Sequence, residues 1–308
     1  MELSPSAAAH ASASSDADGL PTVSVVTPSF NSAKFIERTI HSIHGQGYPR
    51  VEHVLMDGGS TDGTLEIVDR HRARFSHVES GPDKGMYDAI DRGFARTTGK
   101  IMTWLNSDDE WLPGTLKTVV RLFREFPEVE WITSSFPSAI DEEGATIATS
   151  RLSGVSRRGI DRGENLPCGR WFADGFIQQE STFWRRSLWE RAGARLDTSL
   201  QLAGDYELWS RFIRHAPLWS VEVPLGLFRR RAGQKSAVAL SSYFDEALGV
   251  FRRDGGRAPT RFGSLVRVGI RRHMPPPFRH HLGRFHLFER RPFLKYDWAS
   301  SRWVRAWQ

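Results

Sequence analysis

Cysteine is almost missing from this chain. The single thiol, Cys168, excludes an internal disulfide framework and fits a reducing compartment. As a lone residue it reads as a small buried apolar side chain rather than a catalytic thiol. No run approaches 18 apolar residues, so no membrane-spanning helix is expected. Residues 1–20 lack a basic n-region and read as a disordered tail, not a secretion signal. Two glycine fingerprints are also missing. No G-x-G-x-x-G follows the first strand, and G-x-x-x-x-G-K-[ST] is absent, which argues against ordinary dinucleotide and P-loop binding. These absences describe a soluble, cytoplasmic protein.

What is present is a core. With 308 residues, 39% hydrophobic, 11 Trp and 19 Phe, the chain can bury one large domain with appendages. Its net charge of +6 is uneven. From Phe251 to Gln308 there are 14 basic against 3 acidic residues, and before that 28 against 33. A slightly acidic body therefore carries a basic, aromatic tail.

The body alternates strand, loop and helix. Val23 to Thr27 is an apolar run ended by Pro28-Ser29-Phe30-Asn31. A helix with Phe35, Ile36, Ile40 and Ile43 on one side follows, with Asn31 or Ser32 as its N-cap. Val51 to Met56 forms a second strand, closed by Asp57-Gly58-Gly59-Ser60-Thr61-Asp62-Gly63-Thr64, and Leu65 to His71 a second helix. A strand around His77-Val78-Glu79 leads through Gly81-Pro82-Asp83-Lys84-Gly85 to a helix over Met86 to Arg96. Ile101 to Leu105 is the fourth strand and ends at Asn106-Ser107-Asp108-Asp109. This alternation predicts an α/β fold with a mainly parallel sheet flanked by helices. Loops rich in Asp, Gly, Ser and Pro at strand ends would line one crevice. Two adjacent acids there suit either a hard divalent cation or a turn that caps the next helix.

Beyond that point the pattern thins. Pro127 to Thr133 predicts a fifth strand. Residues 141–170 read as either an active-site loop or a hairpin around Gly144. Ser187 to Ala192 predicts a helix, and so does the segment from Asp205 to about His215. Asp205 is equally suited to capping that helix. Leu218 to Val223 predicts a last strand, followed by Arg229-Arg230-Arg231.

Taken together, these segments resemble a family 2 glycosyltransferase of the GT-A fold, polysaccharide-assembly type, from about Thr22 to Ser236. The resemblance implies a Rossmann-like domain over 21–236 between the tail 1–20 and a basic helical extension over 237–308. It implies transfer of a sugar, with inversion, from a nucleoside-diphosphate donor to a hydroxyl of a glycan or lipid-linked acceptor in cell-surface polysaccharide assembly. By the same resemblance Pro28 and Ser29 would help hold the nucleoside, Asp57 would accept from the nucleobase, and Asp83 would lie against base or ribose. Asn106 and Asp108 would contact ribose and phosphate, Asp109 would ligate Mg2+ or Mn2+, and Lys84 would add positive charge. Asp205 would be the general base, with Glu207 in reserve. Gln178-Gln179-Glu180 would lie near the acceptor. The family branch often has a His in an Arg-x-His-x-Gly-Gln-like segment. This chain reads Arg229-Arg230-Arg231-Ala232-Gly233-Gln234, so Arg230 or Arg231 would take the phosphate contact instead. The alternative is a scaffold with the same fold and no turnover, against which the four carboxylates Asp57, Asp83, Asp109 and Asp205 stand.

The tail allows two readings. Phe262 to Arg272 places apolar residues at helical spacing beside cations. Such a stretch in 260–308 would lie on an anionic membrane surface, making the protein peripheral at the inner face, or would pack on the catalytic domain. Nucleic acid is not an expected partner, because no recognised motif supports it.

Overall fold

The computed structural model describes residues 19–166, 176–231, 234, 240–257 and 290–307. Cys168, the segment 262–272 and the tail before residue 19 lie outside these described residues.

Strands β1 (Val23–Ser29), β2 (Val51–Asp57), β3 (His77–Ser80) and β4 (Ile101–Trp104) run parallel, in the spatial order β4-β1-β2-β3. Every residue of β1 and β4 is buried, which is why both read as mainly apolar runs rather than strict alternations. Side chains of β2 alternate between faces. Val54 and Met56 join the cluster under helix α3 (Met86–Phe94), while Leu55 joins Ile36, Ile40 and Val68 of helices α1 (Ile36–His44) and α2 (Thr64–Arg70). Gly93 lets α3 approach closely, since a Cβ there would sit 2.5 Å from Val26 Cγ1.

The sheet continues beyond β4. Strand β9 (Phe183–Arg185) lies antiparallel between β4 and β6 (Trp131–Ser134), and β10 (Trp219–Val221) runs parallel to β6. Helices α4 (Thr115–Glu125), α6 (Arg186–Arg191) and α7 (Gly204–His215) cover its faces. Under α7 an aromatic cluster joins Trp104, Trp184 and Trp209, with Trp104 and Trp209 stacked at 5.8 Å. A second sheet, β5 (Glu110–Trp111), β11 (Gly226–Arg229), β7 (Ser138–Ile140) and β8 (Thr146–Thr149), stands beside the strand ends. Of the two readings of 141–170, its first part is the hairpin: β7 and β8 are antiparallel, and Gly144 has φ +94° in their turn. Helix α5 (Arg157–Asp161) follows.

Three expectations need correction. Helix α1 starts at Ile36, beyond Asn31 and Ser32, and no side chain caps it; Asn31 instead adopts φ +48° and joins the loop. The strand around Leu218 to Val223 is not the last. The region 237–308 is not wholly helical either. Helix α8 (Leu240–Arg253) fits, but β12 (Pro292–Asp297) and β13 (Arg302–Trp307) form a hairpin, and β12 pairs in parallel with β10. Within that hairpin Lys295, Arg302 and Arg305 are exposed while Phe293, Leu294 and Trp303 are buried, so the basic and aromatic residues there belong to paired strands rather than to one amphipathic helix. Among the described residues no helix is long and apolar enough to cross a membrane.

Candidate active site

Because β1 to β4 are parallel, their carboxyl ends fall on one edge of the sheet. Register pairs Ser29 with Asp57, and Asp57 with Ser80. Three loops meet there and are stitched together. Ser32 N–H donates to Thr64 Oγ1 (2.8 Å), Ala33 N–H to Asp62 Oδ2 (3.0 Å), and the Ser32 and Ser107 hydroxyls bond at 2.7 Å.

Asp57 is buried and holds its own loop in shape. Its Oδ2 accepts from Gly59 N–H, Ser60 N–H and Ser80 Oγ, and its Oδ1 from Ser60 Oγ. Asp83 accepts from Gly85 N–H (2.8 Å), and its other oxygen lies 2.9 Å from where a Cβ on Gly58 would be. On the other side of Gly58 is the Phe30 ring, which is 63% exposed. Asp57, Asp83 and an open aromatic face thus meet around one glycine, a polar and stacking surface suited to a flat heterocycle. Pro28 and Ser29 end β1 next to it. Lys84 is exposed at the rim.

The β4 end is more acidic and drier. Asp109 is fully buried, with Oδ1 accepting from Arg229 N–H (2.8 Å) and Oδ2 from the Asn106 amide (3.1 Å). Asp108 is only partly buried, and its Oδ2 accepts from Arg231 Nε (2.8 Å). Burial, then the charges of Glu180 and Asp108, push the Asp109 carboxyl well above the ordinary carboxylate range. Glu180 is buried as well, and it too is raised, first by burial and then by Asp205 and Asp108. Like charges gathered in a dry pocket ask for a cation. Among the described residues Ser29 Oγ, Asn106 Oδ1 and Gln179 Oε1 are buried without a hydrogen-bond partner, which leaves oxygen donors available near the ends of β1 and β4. An all-oxygen donor set of carboxylates and amide carbonyls fits Mg2+ or Mn2+.

Asp205 enters from α7. Gly204 lets the helix start against Tyr87 of α3, since a Cβ would meet that ring at 2.8 Å. Asp205 is not the N-cap. The backbone N–H groups of Leu202 and Ala203, just before the helix, donate to Glu246 of α8 (2.9 and 3.0 Å), while Asp205 Oδ1 accepts from Tyr206 N–H inside the first turn (2.7 Å). Tyr243 OH donates to it at 3.0 Å. Burial pushes the Asp205 carboxyl up to about 6, against the pull of Tyr206 N–H and Tyr243. Trp209, one turn further on, anchors this face of α7 to the sheet. Glu207 is committed elsewhere, ion-paired with Arg211 (2.8 Å) and Arg253 (3.1 Å).

The arginine run divides three ways. Arg229 is buried; its guanidinium donates to the carbonyls of Asp108, Asp141 and Glu142 and pairs with Glu110. Arg230 is exposed, and Arg231 holds Asp108. Tyr243, Arg229 and Phe30 carry site roles that the residue pattern did not assign, and Glu180 was placed near the acceptor by the resemblance alone. The only signal was in the run Gln178-Gln179-Glu180, which is polar yet sits beside apolar Phe176 and Ile177.

Residues 24–164 match the profile described as "Glycosyl transferase family 2". Those residues belong to glycosyltransferase family 2. The family 2 domain is 39% identical over 92 residues to an uncharacterised glycosyltransferase of Mycobacterium tuberculosis, covering 30% of this chain and 35% of that protein. It is 33% identical over 108 residues to the putative teichuronic acid biosynthesis glycosyltransferase TuaG of Bacillus subtilis, covering 34% and 43%. The chain thus spans well under half the length of these curated relatives. Its fold resembles that of Staphylococcus aureus TarS 1–349 solved with UDP-GlcNAc, at TM-score 0.61 and 18% identity over 84% of this chain and 77% of that one. The fold is therefore GT-A, as the sequence implied.

Proposed function

We propose that this chain transfers a sugar from a nucleoside-diphosphate donor to a hydroxyl of a cell-surface glycan or lipid-linked acceptor, with inversion and with help from a divalent cation. The observation that carries the reading is the convergence of Asp205, Glu180, Asp108 and Asp109 at the edge where the β1 to β4 loops form a heterocycle-sized surface. The likeness to TuaG, which is named for teichuronic acid biosynthesis, supports a cell-surface glycan as the acceptor class.

In this reading the nucleobase lies against Phe30 and Gly58, with the Asp57 and Asp83 carboxylates at its edge. Asn106, Asp108 and Asp109 would hold a divalent cation, which when bound would supply positive charge against the diphosphate leaving group. Arg231 orients Asp108 from the rim. Asp205 accepts the proton of the acceptor hydroxyl as that oxygen attacks the anomeric carbon on the side opposite the diphosphate. One displacement inverts that carbon and needs no protein nucleophile.

The deciding experiment incubates the full chain with Mn2+ and individual nucleotide sugars, and follows release of nucleoside diphosphate. Asp109→Ala abolishes release if the assignment is right, and unchanged release removes Asp109 from the cation site. Asp205→Asn keeps donor affinity and loses transfer; lost donor affinity would make Asp205 structural instead.

A further inference from the structure

A second cluster of ligating side chains lies on the solvent side of α1 and α2, outside the site above. Glu37 and His41 stand one turn apart on α1 and project from one face. His71 directly follows the last residue of α2 and is brought to them because α1 and α2 share the core of Ile36, Ile40 and Val68. One ligand atom from each of the three lies within 4.8 Å of the other two. Glu37 Oε1 and His71 Nε2 are 2.9 Å apart, and the two imidazoles meet edge-on at 5.1 Å.

We propose that Glu37, His41 and His71 form a Zn2+ site, distinct from the cation site of the donor crevice. Two imidazoles and one carboxylate make a borderline donor set that favours Zn2+ over Mg2+ or Mn2+. Three protein ligands leave a fourth tetrahedral position to water. The ion takes the place of the proton that Glu37 and His71 now share, and that proton leaves to solvent. The opposing charges are Arg70, 3.6 Å from Glu37 Oε1, and Arg74, 3.4 Å from His41 Nδ1. Both are exposed and can swing clear. The neighbouring His44 is already bonded to His53 (3.0 Å) and takes no part. Because α1 and α2 each begin directly after a crevice loop, the ion would brace both loops from behind.

The test uses the untagged full chain, stripped with chelator, then dialysed against Zn2+ alone and assayed for metal content and melting temperature. Wild type should retain about one Zn2+ per chain more than His41→Ala or His71→Ala, with affinity at the site falling more than about tenfold in each variant. His44→Ala should keep the wild-type content. Zn2+ should raise the melting temperature of wild type but not of His41→Ala, whose exposed side chain can be removed without disturbing the core. Equal Zn2+ retention by wild type and His41→Ala, both folded by circular dichroism, would overturn the proposal. So would an equal loss of Zn2+ in His44→Ala. In Co2+-loaded protein, visible absorption that depends on His41 supports tetrahedral ligation, and absorption independent of His41 refutes it.

Discussion

Replacing Arg229 with Met keeps most of the side-chain volume and removes the guanidinium from the centre of the phosphate-end loop. Wild-type Arg229 is fully buried, stacks over Phe35 at 5.0 Å, and satisfies three carbonyls and Glu110. Stranding one partner of a buried ion pair costs about 3–5 kcal/mol. Glu110 retains 23% side-chain exposure and can recover some hydration, which lowers the figure. The Asp141 and Glu142 carbonyls lie in the half-exposed hairpin turn and can turn to water. The Asp108 carbonyl, on a partly buried residue, also loses its donor, and an acceptor left unsatisfied costs about 1–3 kcal/mol. The net expectation is a loss of about 2–4 kcal/mol. Urea unfolding followed by tryptophan fluorescence measures it at equilibrium. Arg230→Met, at an exposed position, should stay within about 0.5 kcal/mol of wild type. If Arg229→Met does too, the guanidinium is not what holds Asp108 and Asp109 in place, and the account of that loop fails.

Transfer should depend on pH through Asp205. The base works as a carboxylate, so activity should fall as the pH drops through about 6, the value to which burial raises this group. The same raised value predicts that its contribution to stability is greatest below the unfolded carboxyl pKa of about 3.9 and declines as the pH rises towards 6. Tyr243 donates to the charged form, so Tyr243→Phe should move the acidic limb of the rate profile to higher pH; a shift to lower pH would contradict the geometry. Gly226→Ala would set a Cβ 2.4 Å from the Glu180 carbonyl oxygen, a backbone atom that cannot yield easily. The expected loss is about 1–3 kcal/mol by thermal or urea unfolding, and no loss would mean that β11 can move away from Glu180.

The edge on which the loops after β1 to β4 meet was legible because its logic is local. Asp57 closes one apolar run and Asn106 and Asp108 follow another, while Asp83 stands in a Gly-Pro loop after a short polar strand, and parallel order places such ends on one edge. The rest of the site is built from contacts distant in sequence. Three consecutive arginines look alike on paper, and only the pairing of β11 with β5 and β7 decides that Arg229 turns inward while Arg231 reaches Asp108. Glu180 gives no outward sign of burial. Tyr243 lies on a helix whose docking beside Asp205 no periodicity reveals. Asp205 seemed suited to capping because acids often begin helices, yet the N–H groups that lead into α7 go to Glu246, about forty positions later. In the tail, Arg302 to Trp307 shows no period of two, since its Arg residues stand three apart and its Trp residues four apart, and only the pairing with β12 reveals the strand.

The β12–β13 hairpin also bears on how the molecule assembles. Ser220 pairs with Phe293 and Val221 with Leu294, a contact of long sequence separation that closes only after the intervening chain has been made. Until then β10 presents open backbone along one side, and Trp219 lacks its cover from Trp307 (5.3 Å). A chain cut between α8 and β12 would keep every candidate site residue and yet carry a raw sheet edge, a template for pairing with other chains. Aggregation or inactivity of such a truncation would therefore report on an unfinished sheet rather than on the donor crevice or on any membrane contact.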